Sequence, residues 1–162
     1  MKPTLFLALG LLVSAFALAQ LGLLAGTRPA DLGVHDARLK PPSATRNSVS
    51  SQAALYPDHP QHDYATIKPL PQGSRSGPGA MAALLSILQN QPNIKVLEVQ
   101  ADYVYAEAQT PWLKFVDDLE FWLNPALGVI EVRSASRLGR EDFGTNRERI
   151  ESIRRAYLAL PE

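Results

Sequence analysis

The chain has 162 residues, with sixteen basic and sixteen acidic side chains and no cysteine, so its formal charge is zero. That length suits one compact domain and falls short of two. Zero net charge removes any whole-chain argument for nucleic acid or for an acidic partner, and the missing thiols exclude disulfides, thiol catalysis and thiolate metal sites.

Thr4 to Gly26, "TLFLALGLLVSAFALAQLGLLAG", carries no charge and follows Lys2. An uncharged run of this length is about what an apolar helix needs to cross a bilayer. Ala17-Leu18-Ala19 before Gln20 is also the small-x-small pattern of a signal peptidase site. Residues 1–26 are therefore expected to be a signal peptide or a membrane anchor, forming an N-terminal apolar helix. A buried core helix is a poor alternative because the run has no polar face. Arg28, Arg38 and Lys40 follow closely and pull the flank toward the cytoplasm, but an exported domain is the better expectation. The expected location is extracytoplasmic, in the periplasm or cell envelope, with the membrane as a partner if the segment is not removed.

Residues 27–62 scatter proline, serine, glycine and asparagine without a helical or alternating period. This predicts a loop-rich linker. Leu32, Val34, Leu39, Val49, Leu55 and Tyr56 are too many apolar groups for a solvated spacer, so it should pack on the domain. All three histidines, His35, His59 and His62, lie here. His59 and His62 sit between Asp58 and Asp63, but Pro57 and Pro60 prevent a helix from gathering them, and no metal or cofactor is expected.

Residues 63–162 form the expected domain. A short extended piece at Tyr64 to Leu70 leads to the loop "PQGSRSGPGA". Ser76 or Gly77 ahead of Pro78 then opens a helix with Ala80, Ala83, Leu84, Ile87 and Leu88 inward, stopped at Gln91-Pro92. Strands are predicted at Ile94 to Gln100, Tyr103 to Thr110, Trp112 to Leu123 and Val129 to Ser136. In the third, Leu113, Phe115, Leu119, Phe121 and Leu123 alternate, which puts Asp117 on the apolar face.

A turn at 124–127 would set Phe121 opposite Ile130 and Leu119 opposite Val132. It would also pair Asp117 inward with Ser134 and Asp118 outward with Arg133. Thr145 and Glu148 have capping-box spacing at the start of a last helix, whose stripe is Ile150, Ile153, Tyr157 and Leu160, with Glu151 to Arg155 as a pair four apart. The expected fold is α+β, a small antiparallel sheet of about four strands covered on one face by two helices.

Between Arg133 and Arg155 stand seven arginines against four acids, Glu141, Asp142, Glu148 and Glu151. Free amides at a helix start attract anions, and arginine grips phosphate or carboxylate as a fork. Arg137, Arg140, Asn146 and Arg147 are thus candidates to cup an anionic small molecule or lipid headgroup. The competing reading makes the arginines internal fasteners, paired with Asp117, Asp118, Glu141 and Asp142 to hold the last helix to the sheet. No catalytic set is expected. Ser134 and Ser136 have no histidine within the domain to act as base, and adjacent Asp117 and Asp118 point to opposite faces. A hydrolase built on Asp117 is the remote alternative.

The block "FVDDLEFWLNPALGVIEVRSASRLGREDFGTNRERIESIR", with "RNSVSSQA" upstream, resembles the bacterial and plastid domain of unknown function 1499 family, from about Leu32 to the chain's end. The Asp-Asp pair, Arg-Ser-x-Ser-Arg and Gly-x-Asn-x-x-Arg-Ile carry the likeness, so Asp117, Asp118, Arg133, Ser134, Ser136, Arg137, Arg140, Asn146 and Arg147 are motif positions. The resemblance implies an exported or membrane-anchored protein of open activity. Members commonly have a cysteine pair near Asn-x-Val-Ser-Ser; here Pro42 and Ser48 look like those positions. If that pair is a disulfide elsewhere, this chain must hold "RNSVSSQA" by packing and hydrogen bonds.

Overall fold

A computed structural model describes residues 3–161 of the chain. Lys2, expected to flank the apolar run, lies outside them. In chain order the elements are α1 (Pro3–Gln20), β1 (Ser48–Ser50), α2 (His62–Ala65), β2 (Leu70–Pro71), α3 (Gly77–Gln89), β3 (Ile94–Val99), β4 (Tyr103–Gln109), β5 (Val116–Asn124), β6 (Val129–Ser136) and α4 (Thr145–Leu158), with one 3-10 turn at Ala53–Leu55.

The sheet is antiparallel and has six strands, in the order β1-β6-β5-β4-β3, with β2 also on β6. It is larger than the four strands expected. β1 pairs with the C-terminal half of β6, Ser48 opposite Ala135, and β2 with its N-terminal half, Leu70 opposite Ile130. Together these pieces complete one broken edge. Segments of two or three residues have no readable period, which is why the sequence concealed them. The piece expected to be extended from Tyr64 instead begins as α2; Thr66 makes a single parallel bridge to Ser50, and Leu70–Pro71 pairs as a strand.

The strand β5 starts at Val116, not Trp112. The residues before it form a turn in which Lys114 has φ +58° and the Phe115 amide donates to Thr110 Oγ1. The β5–β6 turn spans residues 125–128, one position later than expected. Gly128, at φ +62°, closes it and donates to the Asn124 carbonyl. The register therefore moves by two: Phe121 faces Val132, Leu119 faces Ser134, Asp117 faces Ser136 and Asp118 faces Ala135, while Arg133 faces Glu120. A shift of two leaves every side chain on its expected face, because the strand period is two.

One face of the sheet presents Val104, Ala106, Leu119, Phe121, Ile130 and Val132 to α3 and α4. The helix α3 starts at Ser76, whose hydroxyl accepts from the Gly79 amide, with Pro78 in the first turn. It buries Ala80, Leu84 and Leu88 completely. Each such leucine contributes about 1.5–3 kcal/mol of burial. The helix α4 adds Ile150, Ile153 and Tyr157. Its acid–arginine pair is Glu151 with Arg154, three apart and half-buried, in place of Glu151 with Arg155.

The opposite face is not left to water. Leu39 is buried among Tyr103, Tyr105 and Trp122, with Leu32 and Val34 packed alongside. "RNSVSSQA" is held through β1 and through hydrogen bonds: Ser48 Oγ accepts from the Ser43 amide, and Gln52 Oε1 accepts from the Leu39 amide at 2.7 Å. At the N-terminus, α1 leaves Phe6, Val13, Phe16 and Leu18 exposed. Among the described residues no helix is long and apolar enough to cross a membrane, so the transmembrane reading of residues 4–26 gains nothing from the structure.

Candidate functional site

Alternation along β6 divides the arginine-serine motif between the two faces of the sheet. Arg133 and Arg137 point toward the N-terminal segment, and Ser134 and Ser136 toward α4. The first face carries charge that is almost wholly enclosed. Glu120 is fully buried and accepts from the Gly33 amide (2.8 Å), Tyr103 Oη (3.0 Å) and Arg133 Nη1 (3.1 Å). One step along the sheet, Asp118 accepts from Tyr105 Oη (2.6 Å) and from Arg137 Nε and Nη2, at 3.0 and 2.7 Å. Arg137 also pairs with Glu107. The Arg28 guanidinium lies 4.0 Å over the Tyr105 ring and pairs with Glu98.

Electrostatics follow from that enclosure. Burial raises the phenols of Tyr103 and Tyr105, and neighbouring Glu120 and Asp118 raise them further. Burial also works against a charged Arg137, yet its bonds to Asp118 and Glu107 hold its pKa above the ordinary arginine value. The Tyr103 and Tyr105 phenols and the Arg137 guanidinium therefore keep their protons at neutral pH.

The second face carries another network. Arg149, on α4, pairs with Asp117 at 2.6 Å and donates to Ser134 Oγ and Asn146 Oδ1. Ser134 Oγ donates to Asn146 Oδ1 at 2.5 Å, and Asn146 Nδ2 donates to Ser136 Oγ, the Asn47 carbonyl and Asp142 Oδ2. Asn146 is fully buried.

The expected Thr145/Glu148 capping box is absent. The chain enters α4 through Gly144 at φ +85°, so Thr145 is already inside the helix and its side chain makes no cap. Asp142 takes that role, accepting from the amides of Gly144 (3.0 Å) and Asn146 (3.1 Å) and from the Tyr64 hydroxyl. Burial and Asp142 push the Tyr64 phenol up to about 12. Burial alone would raise Asp142, but the Tyr64 and Asn146 side chains and the two amides hold it below the usual carboxylate range.

The four residues proposed to cup an anion do not converge. Arg137 is on one face and Asn146 on the other. Arg147 donates to the carbonyls of Thr66 and Tyr64, at 3.0 and 2.5 Å. Only Arg140, exposed beside Gly139, has no hydrogen-bond or ion-pair partner among the described residues. The expected cross-strand pair of Asp118 with Arg133 is replaced by Asp118 with Arg137 and Glu120 with Arg133, a direct result of the shifted turn.

Residues missed from the sequence are Glu120, Glu107, Tyr103, Tyr105, Arg28 and Arg149. Tyr103, Tyr105 and Glu107 share one strand face and could have been read from the alternation of β4. Arg28 and Arg149 could not, because their partners lie 70 and 32 positions away. A cleft of about 570 Å³ opens beside the first network, with Lys95, Glu107, Gln109 and Lys114 among its lining. The serine hydroxyls face Asn146, and the histidines bond locally, His35 with the Leu32 carbonyl, His59 with the Gln61 amide and His62 with Asp63. Among the described residues no three His, Cys, Asp or Glu are placed to hold a metal ion.

The family model described as a protein of unknown function, DUF1499, matches residues 38–157. The chain matches no curated protein and no solved structure.

Proposed function

The chain belongs to the DUF1499 family of proteins of unknown function, and we propose that it is a non-catalytic cell-envelope domain, a structural or assembly module fastened internally by its arginines. One observation carries this reading: Arg133, Arg137, Arg147, Arg149 and Arg154 all end on carboxylates or carbonyls of their own chain. A guanidinium already held in buried bonds has few donors left for a ligand. Placement in the envelope is supported by the uncharged run Thr4 to Gly26 and by Ala17-Leu18-Ala19 ahead of Gln20.

Thermal unfolding of the full chain, with and without inorganic phosphate, acetate and glycerol phosphate, separates this reading from an anion site. Arg137→Met should lower the midpoint strongly and Arg140→Ala should leave it unchanged, with no anion raising it. A concentration-dependent rise that Arg140→Ala abolishes would favour the anion site, since a ligand of the folded state stabilises by mass action. Export is checked separately by fusing the full chain to a reporter that is active only outside the cytoplasm.

A further inference from the structure

We infer that the end of the sheet from which the N-terminal apolar segment departs is a docking surface for an anionic lipid bilayer. This rests on the envelope reading and goes beyond it by naming the surface. Because β4 ends at Gln109, β5 begins at Val116 and β6 ends at Ser136, the loops 110–115 and 137–144 leave the same end of the antiparallel sheet.

Both loops are apolar at their tips. Trp112 is 74% exposed and Phe143 is 89% exposed, with Leu113 and Leu138 also open to solvent. Leu127, Leu158 and Val99 are also exposed elsewhere on the domain, but each stands apart and none is as open as Trp112 or Phe143; an aromatic pair with leucines gathered on adjacent loops suits the boundary between headgroups and acyl chains.

The uncharged segment is fixed to these two loops. Gln20 Nε2 donates to the Trp112 carbonyl at 2.7 Å. Gly26 lies so close to Leu138 that a Cβ at position 26 would sit 3.1 Å from its Cγ. Leu21 and Leu23, between these anchor points, are exposed. Apolar chain therefore continues without a break from the loops into residues 4–26. The surface persists even if cleavage after Ala19 removes α1, and it does not require that helix to span the bilayer.

Charge fits the same occupant. Lys114 and Arg140 stand on the two loops without an acidic partner among the described residues, while Glu141 is taken by Arg46 and Asp142 is buried at the start of α4. Cations beside an aromatic tip match anionic headgroups over interfacial hydrocarbon.

The protein carries its own reporter. Its two tryptophans are Trp112 and Trp122, and Trp122 is buried. Full-length protein is mixed with phosphatidylcholine vesicles, with and without phosphatidylglycerol, and with lipids brominated along the acyl chain. Anionic vesicles should shift tryptophan emission to the blue, brominated lipid should quench it, and acrylamide should lose access. Trp112→Phe should abolish all three responses while the protein still floats with the vesicles. Lys114→Ala and Arg140→Ala should each weaken partition onto anionic vesicles about fivefold and leave neutral vesicles unaffected. Flotation with Trp112 still open to acrylamide would overturn the surface while leaving the envelope reading intact. Failure to float would overturn the surface too, and the export assay judges the envelope reading independently. Shielding of Trp112 that depends on protein concentration without lipid would overturn it in favour of self-association.

Discussion

Replacing Arg133 with methionine tests whether the arginines are fasteners. Arg133 is 3% exposed and Glu120 is fully buried, so the substitution keeps most of the stem's packing while removing the only cation bonded to that carboxylate among the described residues. Tyr103 and the Gly33 amide would still donate to Glu120, but its charge would be uncompensated. Breaking one side of a buried pair costs about 3–5 kcal/mol. For a domain of this size that is a fall in melting temperature of roughly 10–20 °C. The assay is urea unfolding of wild type, Arg133→Met, Glu120→Gln and the double variant. The double variant should recover most of the loss, because a neutral amide can accept from Tyr103 and Gly33 without needing a counter-charge. If the single variants unfold within about 0.5 kcal/mol of wild type with no coupling between them, the pair does not fasten the sheet and the reasoning fails.

Three further outcomes follow from the start of α4. Asp142→Asn should cost about 0.5–2 kcal/mol at neutral pH, as loss of a charged cap. Since the native carboxyl titrates below its ordinary 3.8, that advantage is present above about pH 4 and disappears as pH falls through the native value, so acid titration of both proteins should converge. Tyr64 has the opposite sign. Its native pKa is near 12 against an ordinary 10.0, so its contribution is complete below pH 10 and is lost as pH rises toward 12, and Tyr64→Phe should flatten that part of the alkaline unfolding curve. Gly144→Ala should destabilise by about 1–2 kcal/mol in chemical denaturation, from backbone strain alone, because φ is +85° and nothing lies within 4 Å of the added Cβ.

Local chemistry made much of the fold legible. The period of two in Leu119, Phe121 and Leu123 placed β5 and put Asp117 on the apolar face; Ser76 with Pro78 marked the start of α3; the stripe Ile150, Ile153 and Tyr157 marked α4. Each depends on neighbours within one or two turns of chain, and such patterns survive whatever packs against them. The same logic misled where a pattern was accidental. Leu113 and Phe115 alternate but belong to a turn, and Thr145 with Glu148 has capping spacing while Gly144 lets Asp142 cap instead.

The candidate site was legible in composition and hidden in arrangement. That the arginines belonged with Asp117 and Asp118 could be read from their number and closeness. Which arginine met which acid depended on a one-residue displacement of the β5–β6 turn, which moved Asp118 from Arg133 to Arg137 and gave Arg133 to Glu120. The enclosure of that cluster came from residues 28–41, far away in sequence, where Arg28, Gly33 and Leu39 close over the sheet. Sequence by itself determined the helix starts, the strand faces and the surplus of guanidinium, because those rest on short-range sterics and side-chain period. Only tertiary structure decided the partners and their burial, because a salt bridge between distant segments exists only once packing has fixed the register and excluded the water that would otherwise separate its charges.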